Sequence, residues 1–403
     1  MKVPFRYHIR SLFYRKSTTI LTLVAVGMTV AVLSIVLALQ QGFELTLLTS
    51  ARTDNIICMR DGATSEGESS MTRDLARKVA AIPEIEQKDG KPLAVAEMFA
   101  AINLDRVDRG STNVSVRGTS DAALGIRDSV KVKEGAFFAP GKKELIVGRG
   151  LTERVKGCRI GGSISVGGED WAVVGIIDSG GASFDSEIWG DVELLSAVFE
   201  RSGYSVVHFR ARPGVDVGAP AKMVKGRDGK ETLVPATGLL GRLAGPDFKL
   251  KAMNERDYME AQAGVLGGVL GGLARGLAII MAIGAIFGCT NTLLSAVAGR
   301  THEIGALLAI GFKPWQIRVG FLFEALVLGL VGGMLGILFA LPVNGLATGT
   351  MNWKTFSEQA FAFRITGTVV LEAMILAAVV GVIGGLVPAW RASALKPTDA
   401  MRS

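Results

Sequence analysis

The stretch "GRTHEIGALLAIGFKPWQI", Gly299 to Ile317, joins two long apolar runs and carries the charges they lack. Arg300 sets a positive charge where the preceding helix would end, a place the helix dipole favours. Ile304, Leu307 and Leu308 follow at the i, i+3, i+4 spacing of one helical face. Gly311 stops that helix as a C-cap, and Pro314 suits the first turn of the next, with Trp315 beside it. The spacing predicts an amphipathic helix over residues 300–311. A bare connection needs no oily face, so this face has a task; the same pattern also suits a helix lying on a membrane surface.

Working outward, four apolar runs are long enough to cross ~30 Å of hydrocarbon. No charge lies between Lys16 and Glu44 or between Gly276 and Gly299. Val319 to Leu341 holds only Glu324, and Thr366 to Trp390 only Glu372. The chain has 403 residues, 49% of them hydrophobic, and 51 glycines, with a mean hydropathy of +0.38. These numbers predict a polytopic α-helical membrane protein in a lipid bilayer, with spans at about 270–298, 316–341 and 366–390 after a first span that ends near residue 41. A cleaved leader is a poorer reading of the first run, which is too long and has no small-x-small site before Gln40. The net charge of +7 clusters beside the spans, which makes it an orientation signal and not a nucleic-acid surface.

Lys2, Arg6, Arg10, Arg15 and Lys16 precede the first span; Arg300, Lys313 and Arg318 join the second to the third; Arg391, Lys396 and Arg402 follow the fourth. Only Lys354 and Arg364 join the third to the fourth. The positive-inside bias therefore places both termini in the cytoplasm and residues 42–263 outside. That outer region is expected to be a large α+β domain inserted between helices one and two, in a one-plus-three layout. "DNIICMR", "YSVVHFRAR" and "DFKLKAMN" read as strands, and "MTRDLARKVAAI" and "TGLLGRLAG" as helices. "GGSISVGGEDWAVVGII" reads as a hairpin turning at Gly167-Gly168, within a β-rich insertion near 140–200. Cys58 and Cys158 both fall in this domain, either as a disulfide or as two half-buried thiols.

Catalytic motifs are missing. No G-x-x-x-x-G-K-[ST] occurs, and "HEIGA" at His302 has Ala306 where a zinc helix needs its second histidine. No metal, cofactor or catalytic residue is expected in this chain. The spans instead show helix-packing rows: Gly264, Gly268, Gly272 and Gly276 on a stalk and span two, Gly329 and Gly333 on span three, Gly381 and Gly385 on span four. Glu324 is an intramembrane carboxylate and by default a functional candidate, or else an interfacial group accepting from Arg318 or Arg300. Asn291 is placed to bond across helices.

"HIRSLFYRKSTTILTLVAVGMTVAV", the opening stretch with "FLFEALVLGLVGGMLG", and the closing "GGLVPAWRASALKPTDAMR" resemble FtsX-like permeases of ABC transporters. "LIVGRGLTERVKGCRIGGSISVGGEDWAVVGII" resembles the MacB-type core domain. The resemblance implies a bacterial inner-membrane permease subunit with residues 264–403 as the FtsX-like part. It implies a second permease copy or a paralogue, a pair of cytoplasmic ABC ATPase subunits that hold ATP and magnesium, and, as a further partner, a periplasmic adaptor or carrier protein. The 300–311 helix becomes an ATPase-coupling handle, with Arg300, Glu303, Ile304, Leu307, Leu308 and Lys313 as its residues. The implied tasks are lipoprotein release or export of amphipathic molecules or peptides. A non-transporting complex that regulates a periplasmic cell-wall hydrolase or sensor is the alternative.

Overall fold

The computed structural model describes residues 16–225, 231–352 and 357–395. The basic residues Lys2, Arg6, Arg10, Arg15, Lys354, Lys396 and Arg402, and so most of the orientation signal, lie outside the described residues. The chain divides into two units. A membrane unit comprises residues 1–42, 267–346 and 362–403, and an α+β unit comprises residues 43–266 and 347–361.

Among the described residues, four helices are long and apolar enough to span a bilayer. They run Lys16–Leu48, Glu255–Ala298, Pro314–Ala340 and Gly367–Ser393. The second has 44 residues, which at ~1.5 Å per residue is about twice the thickness of the hydrocarbon. Within the membrane unit, spans three and four pack face to face because glycine lets their backbones meet. A Cβ at Gly381 would lie 2.6 Å from the Ala325 carbonyl, and one at Gly333 would lie 2.6 Å from Ala377 Cβ. Span one joins them through Gly332, where a Cβ would press on Val26 at 2.9 Å.

The α+β unit is built on one mixed sheet. Its strands in chain order are β1 (Asn55–Arg60), β2 (Ala94–Asp105), β3 (Ser111–Thr119), β4 (Lys131–Gly135), β5 (Glu144–Gly148), β6 (Ser163–Val166), β7 (Glu169–Asp178), β8 (Glu187–Asp191), β9 (Val206–Arg210) and β10 (Leu250–Asn254). Their order across the sheet is β10-β1-β9-β2-β3-β8-β5-β7-β4, with β6 pairing β7. The first and last thirds of the domain meet there, since β1 lies antiparallel between β9 and β10. Strand β2 is long enough to serve two neighbours. Ala94–Glu97 pair with β9, and Met98–Asp105 pair with β3.

Local chemistry explains the individual elements. Gly167 and Gly168 take φ of 61° and 80° between β6 and β7, as a tight hairpin turn of type I′ requires. Helix Arg73–Ala80 starts where the Thr72 hydroxyl accepts from the Leu75 amide and lays Ala76 and Val79 on Ile56, Cys58, Val207 and Phe209. Helix Gly238–Ala244 adds Leu240 and Leu243 to the same core. A second core gathers Trp171, Val147, Ile188 and Cys158. Cys58 and Cys158 are thus free, buried thiols in separate cores.

Candidate functional site

The short helix runs Thr301–Ala309. Gly311 at φ 101° ends it, and the Gly311 and Phe312 amides donate back to Leu308 and Leu307. Its oily stripe faces the chain's own helices. Ile304 is buried with Val297, Ile317, Phe321, Ala389 and Ala392, and the half-buried Leu307 and Leu308 pack against that cluster. These three residues dock the helix, and the outward face consists of His302, Glu303, Ile310 and Lys313. Arg300, at the root of the helix, reaches Glu324 with Nη1 3.5 Å from Oε2. Arg318 turns elsewhere and donates to Ser393 Oγ at 3.2 Å.

The glycine rows divide into two kinds. Gly333 and Gly385 are buried at helix contacts, whereas a Cβ at Gly264, Gly268, Gly272 or Gly276 would meet nothing within 4 Å. The latter four are exposed beside Val265, Val269, Leu273 and Leu277. In the membrane unit, Arg275 on span two pairs with Glu372 on span four at 3.2 Å. Asn291 is exposed on span two and, among the described residues, makes no bond across helices. The step of 100° per residue turns its neighbours inward instead: Thr290 donates to the Gly384 carbonyl at 2.8 Å, and Thr292 Oγ1 lies 2.5 Å from Thr22 Oγ1.

The α+β unit holds a buried charged node. Arg117 on β3 donates to Glu66 at 2.6 Å, to Glu97 at 2.9 Å and to both oxygens of Glu187. Arg127 grips Glu97 through two further bonds of 2.8 and 2.6 Å. Burial alone would raise the Glu97 carboxyl, but the Arg127 and Arg117 guanidinia overturn that and hold it below the ordinary carboxylate range. Burial dominates at Glu66, whose carboxyl is pushed up. His208 is lowered to about 3, first by burial and then by Arg127, so it is neutral at pH 7. A cavity of about 30 Å³ adjoins the node, lined among others by Glu66, Arg117, Glu187, Tyr258, Gln262 and Gln359. Tyr258 and Gln262 belong to the start of the Glu255–Ala298 helix, and Gln359 to the hairpin β11 (Ala347–Asn352) and β12 (Ser357–Ala362).

That hairpin is the connection between spans three and four, and it is seated in the α+β unit. Glu358 accepts from Arg106 Nη1 at 3.1 Å and also pairs with Arg154 and the Thr112 hydroxyl. The Ala360 amide donates to Ser186 Oγ at 2.8 Å, and Phe361 packs edge-on against Phe43 with centroids 5.6 Å apart.

Residues 18–226 match the family described as MacB-like periplasmic core domain, and residues 275–397 match FtsX-like permease C-terminal. The chain belongs to the FtsX-like ABC transporter permeases with a MacB-like core domain. Similar proteins include the ABC transporter permease YknZ of Bacillus subtilis, 24% identical, with 98% of each chain covered. The macrolide export ATP-binding/permease protein MacB of Wolinella succinogenes is 26% identical over 100% of this chain but only 60% of its own length. Of solved structures, the extracellular domain of a YknZ transporter from Gram-positive bacteria covers 40% of this chain and 85% of its own, at 18% identity and a TM-score of 0.31.

Sequence reasoning missed Arg117, Arg127 and Glu358. The signal for the first was in plain view: in "TNVSVRG" the arginine ends a β-prone run, and Arg117 is 2% exposed. A buried guanidinium requires buried carboxylates, but no spacing rule points to Glu66 or Glu187. Among the described residues no cluster of His, Cys, Asp or Glu is arranged to hold a metal ion.

Proposed function

We propose that this permease couples ATP hydrolysis by a separate pair of cytoplasmic ABC ATPase subunits to movement of its outer unit, and that it works beside a second copy or a paralogue in the bacterial inner membrane. The observation that carries the reading is the Thr301–Ala309 helix: docked by Ile304, Leu307 and Leu308, it leaves Glu303, His302 and Ile310 outward between two spans. A partner that grips this face displaces the roots of spans two and three together. The cargo we propose is a lipoprotein for release, or an amphipathic molecule or peptide for export, since the apolar runs of the four spans carry no charge besides Glu324 and Glu372, too few to build a polar path. The test is purification of the full chain from its own cells, with mass spectrometry for an ABC ATPase. The ATPase is expected with the wild-type chain and is expected to be lost with Glu303→Arg or Ile310→Asp at unchanged unfolding temperature. Undiminished capture by both variants, or no ATPase with the wild type, overturns the reading.

A further inference from the structure

Glu324 lies ten residues into span three (324 − 314), so ~15 Å along the helix from Pro314, and its side chain is 2% exposed. Next to it, Ala325 and Leu328 pack with Cys289 and Leu293 of span two, and the Ala325 carbonyl lies under Gly381 of span four. The carboxylate therefore sits where three spans meet, and its charge partner, Arg300, comes from outside them. Arg300 is also the residue whose carbonyl accepts from the Ile304 amide at 2.9 Å and so opens the short helix. A charge inside a span is costly to strand without its partner. Separating the helix from span three breaks this buried ion pair, and the Ile304 cluster holds the same joint closed.

We propose that Arg300 and Glu324 are positioning residues that pin the Thr301–Ala309 helix to span three. A push on the outward face then tilts span three as one body with the helix instead of bending the joint. The source of the push rests on the function proposed above; the pin itself does not.

The test is amide hydrogen exchange of the full chain in phosphatidylethanolamine/phosphatidylglycerol nanodiscs. Glu324→Gln and Arg300→Gln are expected to speed exchange in residues 301–309 by about tenfold or more. Arg300→Lys, which keeps the charge, and the swap R300E/E324R are expected to stay near the wild-type rate. Wild-type exchange in both glutamine variants overturns the pin, as does a swap as fast as the single variants. Should Glu324→Gln fail to fold, Arg300→Gln decides alone, because Arg300 lies at the helix border. In the complex with the captured ATPase, Glu324→Gln should retain the bound subunit yet lose the vanadate-induced change in span three exchange. Retention of that change overturns the pin, whereas failure to capture any ATPase sinks the proposed function and leaves the nanodisc result standing.

Discussion

Glu358, on the hairpin between the third and fourth spans, accepts a hydrogen bond from Arg106 at 3.1 Å across 252 residues of sequence. The carboxylate is 16% exposed and the arginine 28%, so the contact is sheltered without being sealed. With Arg154 and Thr112 on the same carboxylate, the connection between these spans is a seated part of the α+β unit.

Replacing Glu358 by Ala should therefore release the hairpin and leave the sheet standing. The expected loss is about 1–2 kcal/mol, the range for charge-assisted bonds partly screened by water. It is read as faster amide exchange confined to residues 347–361. Unchanged exchange there would show that Phe361 and Ser186 hold the hairpin without Glu358.

Arg117→Met should be far more damaging. It leaves the buried Glu66 and Glu187 without their guanidinium, and removing one partner of a buried pair costs about 3–5 kcal/mol. Arg117→Lys should not rescue, because the wild type donates through Nε, Nη1 and Nη2 at once, a fork that an ammonium lacks. Thermal unfolding of the full chain in detergent decides this; a lysine variant with the wild-type midpoint would contradict it.

Acid should weaken the α+β unit through His208. His208 is held neutral in the fold, with its pKa lowered to about 3, against ~6.5 in an unfolded chain. The unfolded state therefore binds the extra proton throughout that interval, and stability falls as pH drops from about 6.5 toward 3. His208→Gln should flatten the part of the unfolding-temperature profile between about pH 6.5 and 5. An unaltered slope in the variant would assign the acid sensitivity elsewhere.

Leucine at Gly333 should disrupt the membrane unit, since even a Cβ there meets Ala377, and overpacking typically costs about 1–3 kcal/mol. A Cβ at Gly268 meets nothing within 4 Å, so Gly268→Leu should leave the unfolding temperature of the isolated chain unchanged. If Gly268→Leu shifts the chain from dimer to monomer on size-exclusion chromatography in detergent, a second copy covers that face. An unshifted elution volume removes this face from the contact between copies.

The four spans were legible because apolar length has few other meanings, and the Gly167-Gly168 hairpin because the pair separates two β-prone runs, where a tight turn takes positive φ at both positions. The docking direction of the Thr301–Ala309 helix was not legible. Ile304, Leu307 and Leu308 announce that one face is covered, and the pattern is the same whether a partner, a bilayer or the chain's own spans cover it. The face of Asn291 was lost to a single step of helical rotation. Glu358 left no local trace, since "SEQAFA" is a short strand whose partners lie in another third of the chain.

The seating of residues 347–361 in the α+β unit sets an order of events during synthesis. The strands from Asn55 to Asn254 emerge first, but Arg106, Arg154 and Ser186 must wait for a hairpin that follows two further membrane crossings. Until spans two and three are inserted and the hairpin has reached the other side, the unit carries two arginines without their shared carboxylate. A soluble fragment that ends before Glu255 would remain permanently at that stage, so its melting curve would describe an assembly intermediate and not the finished unit.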